Sequence, residues 1–196
     1  MVESVIHLRP KDYRVMPWRD GGGVTTEIAI EPAGASVSDT FFWRLSSARV
    51  AASGPFSGFP GCRRDLVLLE GAGFELSVGS RTMDLRDFMI PVHFSGDDDA
   101  RATLLEGPSI DLGLIWDPTR IQAEVIPHWV GKESLLIEVA PTTLLLAPRG
   151  GVVVGPIGPV LGAMDTLRLD GMDPCPTLCA AGDPVPLVVV RIWPSL

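Results

Sequence analysis

Glycine and proline set the length of every element this chain can form. Twenty-one glycines and eighteen prolines are scattered through 196 residues, and both interrupt regular structure. The intervals between them hold short alternating or apolar runs, too short for long helices. Ser4 to Leu8, Val24 to Ile30, Phe41 to Val50, Asp65 to Glu70, Phe74 to Val78 and Arg81 to Leu85 read as strands, as do Phe88 to Phe94, Arg101 to Glu106 and Ile110 to Trp116. Ile121 to Val125, Leu135 to Val139, Thr142 to Leu146, Gly150 to Leu161, Thr166 to Leu169 and Leu187 to Trp193 continue the pattern, and Met172 to Pro186 reads as a proline-rich loop. Many short strands with regular turn signals predict an all-β sandwich or barrel. Pro91 marks its strand as an edge or bulge.

An internal echo points to two such units. Leu66 to Gly73 resembles Thr143 to Gly150, a β stretch follows each, and Met83-Asp84 is matched to Met164-Asp165, at an offset of roughly 77 to 81 residues. That spacing suits two small β domains in tandem, divided as residues 1–117 and 118–196.

A hydrophobic share of 46% with 20% charged residues implies a globular core. The net charge of −8 argues against a nucleic-acid surface. No run approaches the ~18 apolar residues of a membrane span, and the N-terminus has no signal-peptide core. Three cysteines, an odd number, suit a reducing compartment. The expected location is the cytoplasm. Cys175 and Cys179 lack the second half of a zinc site. His7, His93 and His128 lie far from one another in sequence, so an iron triad would need the fold to assemble it. No metal and no cofactor are expected.

Met16-Pro17-Trp18-Arg19-Asp20-Gly21-Gly22-Gly23-Val24-Thr25-Thr26-Glu27 concentrates the polar chemistry. It is a glycine corner running into a strand, with Thr25 and Glu27 on one face and Val24, Thr26, Ile28 and Ile30 on the other. A plain turn with a solvated Arg-Asp pair is the simplest account. A phosphate loop is excluded, because the lysine-hydroxyl ending is missing and a strand follows. Arg44 and Ser46 share a strand face with Phe42 and Ala48, which is either solvent or a polar cavity. Phe56 and Phe59, on a glycine- and proline-rich segment, either plug a barrel end or line a site.

Arginines, hydroxyls and glycine amides make a receptor for a small carboxylate. The candidate site is Arg19, Asp20, Thr25, Glu27, Arg44, Ser46, Arg64 and Asp111, with the Gly22 and Gly23 backbone and with Trp18, Phe56 and Phe59 as apolar walls. Glu27 and Asp111 are expected to orient the arginines.

Residues 16–25 resemble the signature of the HutD (Ves) family of the cupin superfamily. So do Trp43-Arg44-Leu45-Ser46 with Ala48, Gly54-Pro55-Phe56-Ser57 with Phe59-Pro60-Gly61, Arg64 with Leu69-Glu70-Gly71, Phe94-Ser95-Gly96-Asp97, Leu105-Glu106-Gly107-Pro108 and Asp111-Leu112. The resemblance implies a bicupin, two jelly-roll β-barrels in one chain. It also implies a non-enzymatic, regulatory link to histidine utilisation and a small carboxylate ligand such as urocanate, formiminoglutamate, formylglutamate or formate. A metal-free cupin isomerase or lyase, with Asp20 and Glu27 as acid and base, is the alternative. A collapsed, vestigial pocket is a third reading. Oligomeric state is left open, with a homodimer among the options. Two departures stand out: Arg19-Asp20 replaces the family's Lys-Asn, and Gly113 replaces an asparagine after Asp111-Leu112.

Overall fold

A computed structural model describes residues 2–155, 158–171 and 175–195. Apart from a single turn of 3-10 helix at Pro10–Asp12, the regular elements among the described residues are strands, arranged in four sheets. The fold is all-β and cupin-type.

The chain divides into two compact units, Tyr13–Ile121 and Met1–Asp12 with Gln122–Leu196. This differs from a cut at residue 117 chiefly at the N-terminus. Val2–Leu8 pairs antiparallel with Asp165–Gly171, so the first strand belongs with the C-terminal sequence.

In the Tyr13–Ile121 unit, the larger sheet runs Arg14–Pro17, Gly23–Glu31, Trp43–Val50, Ser109–Trp116, Arg63–Glu70, Pro91–Ser95. Pro91 opens the last of these, at the sheet edge, where its missing N–H costs no ladder bond. The smaller sheet runs Gly54–Pro55, Ala100–Leu104, Phe74–Val78, Arg81–Leu85. Leu66, Leu68 and Phe94 from the first sheet pack with Phe74, Leu76, Val78, Leu85 and Ala102 from the second. That apolar cluster fills one part of the space between the sheets.

The other unit has a five-stranded sheet, Val2–Leu8, Asp165–Gly171, Thr142–Ala147, Val185–Pro194, Ile121–Val130, and a four-stranded one, Leu135–Leu136, Thr177–Ala180, Val152–Gly155, Val160–Leu161. Its core is Val130, Ile137, Leu145, Val152, Val154, Leu161, Leu167, Leu178, Leu187 and Val189, with further aliphatics around them. The expected Met172–Pro186 loop is part strand, because its prolines flank Thr177–Ala180 rather than interrupt it. Residues 172–174 lie outside the described residues, as do 156–157 of the expected Gly150–Leu161 stretch.

The internal echo is a repeat of pairing. The eight strands from Trp43–Val50 to Ser109–Trp116 hydrogen-bond in the same order as the eight from Ile121–Val130 to Val185–Pro194. The methionine match shifts, however. The counterpart of Met164 (φ 61°) is Met89 (φ 65°), not Met83. Met89 N–H donates to Leu68 O at 3.1 Å and Met164 N–H to Ala147 O at 2.8 Å, each just before the last strand of its repeat's four in the larger sheet.

Candidate functional site

The glycine corner is the turn of a hairpin between Arg14–Pro17 and Gly23–Glu31. Trp18 N–H donates to Gly23 O (2.9 Å) and Gly21 N–H to Trp18 O (3.1 Å). Gly21 has φ of 72°, a conformation that suits glycine. The Asp20 carboxylate accepts from Gly22 N–H at 2.9 Å. Gly23 is fixed for a different reason: a Cβ there would lie 2.5 Å from Arg49 O and 2.9 Å from the Trp18 ring. The ring is further held by its indole N–H, which donates to Thr25 Oγ1 at 2.7 Å, and by an edge contact with Phe56 at 6.5 Å.

Strand register then gathers side chains on the inner face of the larger sheet. Thr25 lies opposite Ala48, Glu27 opposite Ser46 and Ile30 opposite Arg44. Gly113 lies opposite Ser46 and Ile115 opposite Arg44, while Leu66 faces Gly113 and Arg64 faces Ile115. A bulge between Glu27 and Ala29 moves Ile30 onto the face of Thr25 and Glu27, against the simple alternation expected. Beyond the apolar cluster, this face borders a cavity of about 630 Å³.

The cavity is bordered by Trp18, Arg19, Asp20, Thr25, Arg44, Ser46, Phe56, Phe59, Arg64 and Asp111. Most of the expected site residues therefore meet in one place. Arg44, Ser46, Arg64 and Asp111 are buried, whereas Arg19 and Asp20 are exposed. Glu27 reaches the cavity through Arg44, whose Nε donates to Glu27 Oε2 at 2.6 Å. Glu27 thus orients an arginine as expected. Gly22 and Gly23 do not border the cavity: the Gly22 amide is taken by Asp20, and its carbonyl accepts from Ala51 and Ala52. Val37, Ala48, Ser57, Leu66, Gly113 and Ile115 also border it. Alternation with Arg44 and Arg64 could have marked Ala48 and Leu66, whereas no sequence signal marked Val37.

Arg64 and Asp111 dominate the electrostatics. Arg64 Nη1 donates to Ser57 O at 2.9 Å, and its guanidinium lies 5.2, 5.5 and 5.0 Å from the rings of Phe56, Phe59 and Phe94. Phe56 and Phe59 therefore both border the cavity and hold a cation. Burial, with Arg44 adding to it and Asp111 opposing it, lowers Arg64 to about 10, so it stays charged at neutral pH. Burial raises Asp111 to about 7 against the pull of Arg64. Arg64 Nε and Asp111 Oδ2 are both buried without a hydrogen-bond partner in the protein. Asp111 is expected to orient an arginine, and it acts on Arg64 by charge across a gap rather than through a hydrogen bond from Oδ2.

Among the described residues, no group of three or more His, Cys, Asp or Glu is placed to hold a metal. His7 Nε2 meets Asp165 Oδ2 at 2.7 Å and His93 Nδ1 contacts Asp65. His128 is lowered by burial and then by Arg191. Cys62, Cys175 and Cys179 are free, and burial foremost raises the Cys62 thiol. No helix among the described residues is long and apolar enough to cross a membrane.

The HutD family model matches residues 10–184. An uncharacterised 21.2 kDa protein in the hutC 3′ region of Pseudomonas putida is 39% identical over 170 residues, 85% of this chain and 87% of that one. The crystal structure of a conserved protein of unknown function from Pseudomonas aeruginosa PAO1 superposes with a TM-score of 0.89 at 36% identity, covering 97% of this chain and 99% of that one. HutD from Pseudomonas fluorescens SBW25, solved in a formate condition, gives a TM-score of 0.83 at 29% identity, covering 98% and 100%. With the matched span taking in both the glycine hairpin and the arginine-lined sheet face, this chain belongs to the HutD family.

Proposed function

We propose that this protein is a cytoplasmic bicupin that binds a small carboxylate metabolite in the Tyr13–Ile121 cavity and serves an accessory or regulatory role in histidine utilisation. The observation that carries the binding reading is Arg64, a buried cation with an unpartnered Nε beside a cavity of about 630 Å³. Arg44 is already neutralised by Glu27, so Arg64 is the first partner for an incoming anion. Thr25 and Ser46 supply hydroxyls, and Trp18, Phe56 and Phe59 supply apolar walls. The pathway link rests on the family and on the relative in the hutC 3′ region.

A thermal-shift panel of urocanate, formiminoglutamate, formylglutamate, glutamate, histidine and formate tests this. A ligand at a hundred times its Kd stabilises by about 2.7 kcal/mol, or roughly 5 to 10 °C for a chain of this size. Arg64→Met should lose that response while still folding. No shift with any acid, or an undiminished one in the variant, would overturn the reading.

One observation favours a second reading, a metal-free isomerase or lyase. Asp111 sits at about 7 inside the cavity, where a carboxyl can both give and take a proton. Asp20 and Glu27 are less suited to that role, being held by the turn and by Arg44. Turnover of any acid in the panel, lost in Asp111→Asn, would select this reading.

A further inference from the structure

The carboxylate reading accounts for Arg64 but leaves Asp111 unexplained. A buried carboxyl oxygen with no hydrogen bond from the protein, such as Asp111 Oδ2, is rare and calls for a donor. The groups around it do not supply one. On the neighbouring strands Asp111 lies opposite Ala48 and Leu68, both without polar side-chain atoms. Two positions along its own strand is Gly113, where a Cβ would stand 4.0 Å from Asp111 Oδ1 and 3.2 Å from Leu66 Cδ2. Glycine therefore puts no side chain beside Oδ1 on the side of Ser46 and Leu66, although the carboxyl as a whole is buried.

The charge balance of the cavity points the same way. The buried charges here are Arg44, Glu27, Arg64 and Asp111, while Arg19 and Asp20 sit exposed at the cavity border. Arg44 and Glu27 cancel within a 2.6 Å pair. What remains is one cation and one carboxyl, each unpartnered through a buried atom and separated along the sheet by the Gly113–Leu66 pair. A simple carboxylate set on Arg64 uses up the one unpaired cation and leaves Asp111 able to ionise only as an uncompensated buried charge, and a dicarboxylate adds another. A ligand with opposite charges at its two ends satisfies both groups and leaves the cavity neutral.

We propose that the ligand is a small carboxylate bearing a basic nitrogen group at its other end, the carboxylate bound by Arg64 and the nitrogen read by Asp111. The proposal rests on the carboxylate reading above and adds a second specificity residue to it.

The test is calorimetric titration of the full chain with three matched series. These are ω-amino acids (β-alanine, γ-aminobutyrate, δ-aminovalerate), the unsubstituted acids of equal length, and the corresponding dicarboxylates. The expected result is that at least one ω-amino acid binds more tightly than its matched acid by about tenfold or more. In Asp111→Asn the preference collapses while affinity for the simple acid is kept or improved. Arg64→Met abolishes binding of all three series. If simple acids bind as well as amino acids, or if Asp111→Asn keeps the preference, this inference fails and the carboxylate reading stands. If no member of any series binds, both fail together. Circular dichroism of each variant separates lost binding from lost fold.

Discussion

Replacing Asp111 by asparagine should make the protein more stable in neutral and alkaline solution. The unfolded chain gives up the Asp111 proton near 3.8, whereas burial holds it in the folded protein to about 7. Between those values the folded state binds more protons than the unfolded one, so stability falls as pH rises. Above about 7 the full difference has been lost. Each pKa unit is worth about 1.4 kcal/mol, so the wild-type protein loses on the order of 4 kcal/mol across the window. The amide introduced by Asp111→Asn cannot ionise and escapes that loss. For a chain of this length the difference is about 8 to 16 °C in Tm at its upper bound. Differential scanning calorimetry of both proteins from about pH 4 to about pH 8 reads it directly. The curves should nearly meet at the acid end and separate as pH rises, the variant melting higher. A constant offset across the range, or a wild-type Tm that climbs relative to the variant, would show that Asp111 is not a desolvated carboxyl.

Other consequences can be checked by urea unfolding. Glu27→Ala strands the Arg44 guanidinium in a buried site and should cost about 3 to 5 kcal/mol, with Glu27→Gln costing less because an acceptor remains. Gly23→Ala should cost about 1 to 3 kcal/mol by overpacking, since its Cβ meets Arg49 O and the Trp18 ring; a neutral result would mean that the hairpin shifts freely. Trp18→Phe removes the bond to Thr25 Oγ1 and should cost about 1 kcal/mol, and Thr25→Val in the same background should then add little.

Much of the site could be read from strand parity. Arg44 and Ser46 alternate together, and the structure resolves their face as the cavity side rather than solvent. Thr25 and Glu27 lie on the expected face too. Parity failed at Ile28, where the bulge takes up one residue and turns Ile30 inward; a bulge has no signature in apolar alternation. The glycine amides were expected to bind ligand because glycine permits close approach, yet a tight hairpin satisfies them internally. Arg14–Pro17 carries no strand signal, because it is mostly exposed and lacks the apolar rhythm of the others. The pairing of Val2–Leu8 with Asp165–Gly171 is a long-range contact, and nothing local encodes it.

The two repeats share a pairing order but not an interior. Between the sheets of the C-terminal repeat stand valines and leucines, whereas the earlier repeat gives part of its space to arginines, hydroxyls and an acid. A duplicated fold of this kind separates two kinds of inheritance. Changes among the aliphatics of residues 122–196 alter how much folded protein a cell keeps, and selection there acts through abundance. Changes along the Arg44, Arg64 and Asp111 face alter what the cavity accepts, with the packing of the other repeat left intact. The sequence can therefore drift toward new chemistry at one set of positions without first rebuilding its architecture at the other.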